Sequence, residues 1–118
     1  MEDTLHINVD SQKDDAVMYL HGRVDIESSP DLRDHLLAML RRQSPLETMA
    51  IDLTAVSYMG TAGLATLIEG LKIARLRGVA MHLRGPQSRI LRLFHATGIG
   101  SLFDIGEPTS NVSRTTVP

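Results

Sequence analysis

Residues 48–84 read TMAIDLTAVSYMGTAGLATLIEGLKIARLRGVAMHLR, and the order of the patterns inside that stretch decides the fold. TMAIDL (48–53) is a short apolar run suited to a strand buried on both faces. Leu64, Leu67, Ile68 and Leu71 then recur at i, i+3, i+4 and i+7, the period of a helix with one apolar face, and Gly78 stands where such a helix would close. VAMHLRG (79–85) is the next extended run. Strand, helix and strand in this order form a parallel crossover, expected to be right-handed. In such sheets the loops at the carboxyl ends of the strands carry function, and SYMGTAGL (57–64) is one of those loops.

Working outward, LHINVD (5–10) alternates apolar and polar residues and AVMYLHG (16–22) is a second extended run, so residues 5–22 are expected to form an antiparallel pair. Ser29, Pro30 and Asp31 make a helix start: a hydroxyl cap, a proline that needs no donor and an early acid. Leu32, Leu36, Leu37 and Leu40 follow at helical spacing, and Ser44-Pro45 ends the segment. Pro86 opens a third helix with Ile90, Leu91, Leu93 and Phe94 on its apolar side, ending at Gly98. A short turn, IGSLF (99–103), follows. The expected fold is α/β: one domain over residues 1–106, with a mixed sheet of about four strands and helices mainly on one side. Residues 107–118 are polar and aperiodic and are expected to form a flexible C-terminal tail.

A chain of 118 residues with 42% apolar content can bury one core and not two. With two Phe, two Tyr and no Trp, that core must be aliphatic, with six Met as adaptable filler. The lack of cysteine removes disulfide, thiolate and Cys-zinc chemistry and fits a reducing compartment. There is no 18-residue apolar stretch, and MEDTLHINVD has no leader-like pattern, so a cytoplasmic protein with no membrane insertion is expected. A formal net charge of −2 gives no reason to expect direct binding to nucleic acid. The charge is unevenly spread: residues 1–69 hold 12 acidic and 5 basic side chains, and residues 70–118 hold 2 acidic and 7 basic. Lys72, Arg75, Arg77, Arg84, Arg89 and Arg92 are read as solvated residues on separate elements in preference to a basic patch for an acidic partner.

The catalytic patterns that a strand-to-helix loop can carry are missing. There is no G-x-S-x-G, no G-x-x-x-x-G-K-[ST] and no G-x-G-x-x-G after a strand. His6, His21, His35, His82 and His95 are scattered, with no helical i, i+4 pair to hold a metal. Asp52 lies inside a strand, where a buried carboxylate accepts hydrogen bonds in a structural role. No catalytic residue, cofactor or metal is expected. Thr61 remains, and its simplest role is to cap the helix, with Gly60 supplying backbone freedom. The same hydroxyl could also carry a phosphate without unfolding the helix, because the positive end of the helix tolerates it.

DLTAVSYMGTAGL (52–64) resembles the signature of STAS domains, the family of bacterial anti-sigma factor antagonists. HGRVD (21–25) is similar to the family's early acidic turn, and the Leu-rich helix, the strand after Gly78 and RILRLFHATGIGSLFDI (89–105) follow in the family's order. The resemblance covers about residues 5–105 and implies partner switching. Such a protein binds an anti-sigma factor that is also a GHKL-type serine/threonine kinase, and so frees a sigma factor for transcription. The kinase ends the contact by phosphorylating the antagonist, and a phosphatase restores it. The family's acceptor position falls on Thr61, and Asp25 occupies the acidic position used in partner contact. The implied docking surface is Asp25, Met59, Gly60, Thr61, Ala62 and Gly63, extended along the next helix to Glu69 and Lys72. The chain departs from the pattern at Gly60, where the family has Asp, and at Ala62, where it has a second hydroxyl. T-A-G-L also resembles the STAS subunits of phospholipid-transporting ABC importers, which dock on an ATPase subunit.

Overall fold

The computed structural model describes residues 3–106. Five strands lie in the spatial order of the sequence: β1 (His6–Ser11), β2 (Asp15–Val24), β3 (Thr48–Met59), β4 (Ala80–Arg84) and β5 (Asp104–Gly106). β1 and β2 are antiparallel, and each later strand joins parallel to its predecessor. The helices are α1 (Ser29–Leu40), α2 (Thr61–Leu76) and α3 (Ser88–Ala96). A mixed α/β sheet was expected with about four strands; the additional one is the three-residue β5, too short to show a period of two. The proposed tail at 107–118 lies outside the described residues.

Cross-strand register sorts the side chains into two faces. Met18 pairs with Ile51 and Ile51 with Leu83, while Ala16 pairs with Met49 and Met49 with Met81. All six are buried and share one core with Leu32, Leu36 and Leu40 of α1, Leu64, Leu67 and Leu71 of α2, and Ile90 and Phe94 of α3. The helices therefore serve a single face of the sheet. On the other face Tyr19 pairs with Asp52 and Asp52 with Arg84. Arg84 Nε donates to Asp52 Oδ2 at 3.0 Å, and the Thr54 N–H donates to Asp52 Oδ1 at 3.0 Å. Asp52 thus has the structural role expected of it. Arg84, by contrast, is buried and not solvated.

Several local boundaries differ from the sequence expectation, among them the start of α3, which begins at Ser88 and not at Pro86. β3 runs through to Met59, because its pairing with β2 continues across two irregularities as far as Val24 with Met59; the SYM segment is strand, and only Gly60 separates it from α2. α1 is capped at Ser28, one residue earlier than expected, and no side chain bonds its first amides. It also ends at Leu40, about a turn short of Ser44-Pro45.

Candidate functional site

β2 and β3 are parallel neighbours, so their carboxyl ends emerge side by side. The Gly60 N–H donates to Val24 O at 2.8 Å, which fixes the start of α2 against the residue preceding Asp25. Two segments 36 positions apart in the sequence, Asp25 and Thr61 being their central residues, are brought together by strand pairing alone.

Thr61 is the first residue of α2 and is exposed. The capping role expected of it falls instead to Gly60, which has φ −94° and ψ 179° and offers no side chain to the helix. That conformation is open to any residue, so backbone freedom is not why glycine stands there. What a side chain there would meet is the ring of Tyr58: a Cβ on Gly60 would lie 3.2 Å from Tyr58 Cε2 and 3.3 Å from its hydroxyl oxygen, so the ring would have to give by a few tenths of an ångström. Tyr58 is 43% exposed and carries the Arg23 guanidinium over its face, 4.2 Å from the ring centroid.

On one side of this stack lies the Asp25 turn. Asp25 Oδ1 accepts from the Ser28 N–H at 3.0 Å and the Glu27 N–H at 3.1 Å, and its Oδ2 lies 3.6 Å from Arg23 Nε. Ser28 Oγ accepts from the Asp25 N–H at 3.0 Å, and its hydroxyl lies within donor reach of both Arg23 O, at 2.9 Å, and Asp25 Oδ1, at 3.2 Å. These bonds, the Ser28 backbone donor first among them, hold the Asp25 carboxyl below its ordinary range. A depressed carboxyl stabilises the turn at pH values above the unfolded Asp range, and this contribution is lost as pH falls through the folded value. In a carboxyl-detected NMR titration Asp25 should therefore titrate below a free Asp. Ser28→Ala, which keeps the backbone donor and removes the hydroxyl, should bring it part of the way back; an unshifted midpoint in the wild type would contradict the bonded turn. Ile26, at the tip of the turn, is 78% exposed. Beside it is a groove lined by Asp3, Thr4, Arg23, Asp25, Glu27 and Asp31, among others, in which acids outnumber the single arginine.

On the other side a second groove, about 480 Å³, runs between α2 and α3. Tyr58, Gly60, Thr61, Arg89, Ile90 and Leu93 are among its walls. Arg89 Nη2 donates to Ser57 O at 2.8 Å, anchoring α3 to the end of β3.

The remaining expected contact residues are spread unevenly. Ala62 is half-buried beside Thr61. Met59 is 4% exposed and Gly63 is buried, so both lie beneath the surface that Gly60 and Thr61 present. Glu69 is already bound: Arg33 Nε and Nη2 reach its two carboxylate oxygens at 2.8 and 2.9 Å, pulling its carboxyl below the ordinary range and joining α1 to α2. Lys72 is exposed, further along α2. Ile26, Tyr58, Arg23 and Arg89 were not anticipated. The legible signal for Ile26 was a lone apolar residue between two acids in a turn; nothing local marked the others. Among the described residues no group of three or more His, Asp or Glu side chains could hold a metal ion, and no helix is long and apolar enough to cross a membrane.

The family described as STAS domain matches residues 6–115. The chain is 31% identical over 103 residues to the anti-sigma-B factor antagonist of Bacillus subtilis strain 168, covering 86% of this chain and 92% of that one. It is 30% identical over 105 residues to the protein of the same name from Staphylococcus epidermidis, covering 89% and 95%. A crystal structure of an anti-sigma factor antagonist from Mycobacterium paratuberculosis superposes with a TM-score of 0.75 at 28% identity, over 99% of this chain and 97% of that chain.

Proposed function

The chain belongs to the STAS domain family, and from that premise we propose that it is an anti-sigma factor antagonist: a regulatory protein that binds an anti-sigma factor and so releases a sigma factor for transcription. The observation that carries the reading is the surface around Thr61. An exposed hydroxyl stands at the start of a helix, beside a rigid acidic turn, with two large apolar side chains, Ile26 and Tyr58, left open to solvent around it. Exposed anchors next to a preorganised polar turn are what a protein-binding patch requires. The relatives at about 30% identity carry the name anti-sigma-B factor antagonist over nearly their whole length.

The partner in this reading is a GHKL-type serine/threonine kinase that also acts as the anti-sigma factor. It transfers the γ-phosphoryl group of ATP to Thr61 Oγ1: the new P–O bond forms at the threonine, the bond to the β-phosphate oxygen breaks, ADP leaves, and the hydroxyl proton passes to a base of the kinase. The product carries a charge of roughly −1.5 to −2 at neutral pH. An apolar interface closed over Thr61 cannot accommodate that charge, so the complex separates until a phosphatase removes the group. The helix itself persists, because negative charge at its first turn is favourable.

Capture of partners from the source cell, followed by incubation with the kinase so recovered and ATP, tests this. Intact mass should show one phosphate, absent in Thr61→Ala, whose circular dichroism and melting should be unchanged. Recovery of an ABC ATPase with its permease would instead make the chain a transporter subunit. An unmodified mass with the kinase that binds it would remove the phosphorylation step from the reading.

A further inference from the structure

Arg89 stands apart from the other arginines near the site in what it faces. Arg33 is bound to Glu69, Arg84 to Asp52, and Arg23 lies beside Asp25. Arg89 faces the groove it shares with Thr61, and among the described side chains lining that groove it is the one that carries a charge. Its recorded contact is a neutral one, the carbonyl of Ser57. A guanidinium presents five N–H donors in a planar fork, and one bond to a carbonyl leaves most of that fork unspent. The rest of the groove is largely apolar, with Ile90 and Leu64 buried and Leu93 half-buried along it.

Resting on the reading of Thr61 as the phosphate acceptor, we propose that Arg89 is the residue that holds the phosphate once it is in place, closing the groove between α2 and α3. The two side chains line the same cleft, one from the first turn of α2 and one from the first turn of α3. A phosphate on Thr61 would be the anion in a groove whose charged side chain is an arginine and to which no carboxylate contributes. Paired phosphate and guanidinium form short, charge-assisted and often bidentate bonds. Capture has two consequences. The dianion is drawn across the groove, over Ile90 and Leu93, so a partner segment that needs those residues is excluded. The phosphate is also kept from water and from an incoming phosphatase, so the modified form is longer-lived than an exposed phosphothreonine.

Phosphothreonine installed at position 61 by genetic encoding tests the capture whether or not a cellular kinase performs the modification, so a failed kinase assay and a failed capture are separate results. The second ionisation of a free phosphothreonine lies near pH 6. Followed by ³¹P NMR, the full-length protein should titrate at least about 0.5 unit lower than its Arg89→Gln variant, because a nearby cation favours the dianion. Arg89→Lys, which keeps the charge and loses the fork, should fall between the two. Arg92→Gln, on the same helix but outside the groove, should match the wild type. Equal midpoints in the wild type and Arg89→Gln would overturn the proposal, and so would an equal shift from Arg92→Gln, which would reveal only the general field of α3. Melting curves of the unphosphorylated variants establish that each is folded, as expected for a substitution at an exposed position.

Discussion

Asp52→Ala is expected to lower folding stability by about 3–5 kcal/mol, the cost of leaving a buried charge without its partner. The Arg84 side chain is 7% exposed and that of Asp52 12%, and the two meet at 3.0 Å. Among the described residues Arg84 Nη1 is buried with no hydrogen-bond partner, and Nη2 reaches the Tyr19 hydroxyl at 3.4 Å. The guanidinium therefore depends on one carboxylate, and removing it strands the cation inside the sheet. Urea unfolding at neutral pH measures the effect. The double variant Asp52→Leu with Arg84→Met should recover most of the loss, since replacing both members of a buried pair by apolar side chains is often neutral or stabilising. A single-variant loss below about 1 kcal/mol would show that water reaches the guanidinium and that the pair behaves as a surface one.

Gly63→Val is expected to destabilise by about 1–3 kcal/mol through overpacking and to disturb docking at the same time. A Cβ at Gly63 would lie 2.6 Å from Met59 Sδ, 2.6 Å from Val24 Cγ1 and 3.2 Å from Val24 O. Met59 and Val24 are buried at the ends of β3 and β2, so one or both must give way to admit the Cβ, and those ends position Gly60 and Asp25. Helix propensity works in the other direction, because glycine in a helix is about 1 kcal/mol worse than alanine. Gly63→Ala therefore separates the two effects: its contacts cost more than the propensity returns if the strand ends are as rigid as their pairing implies. Urea unfolding gives the stability, and affinity for the captured partner gives the docking effect. A valine variant as stable as the wild type would show that α2 can lift from the sheet without penalty.

Gly63 also shows how much of the site could be read from the chain. TAGL was legible as a family signature, and Gly63 was placed with the contact residues on that basis; its position under the loop, against Met59 and Val24, depends on how closely α2 crosses the strand ends. Gly60 was read as a source of backbone freedom, whereas its backbone is ordinary and extended, and what a side chain there would meet is the ring of Tyr58. Thr61 was read as the cap and is the residue after it. Glu69 was placed on the docking face, and a bidentate arginine 36 residues away holds it to α1.

The α/β order, the helix faces and the crossover were set by periodicity, because apolar residues repeating every 3.6 or 2 positions leave one way to bury each segment. The motif placed Thr61 at a strand-to-helix junction by the same local means. Tertiary structure decided what surrounds that junction. Parallel pairing of β2 with β3 set Asp25 beside Gly60, the close approach of α2 required glycine at 63, and the packing of α3 brought Arg89 into the groove with Thr61. Each of these brings together residues far apart in sequence, and no local period or propensity encodes a distance across the sheet.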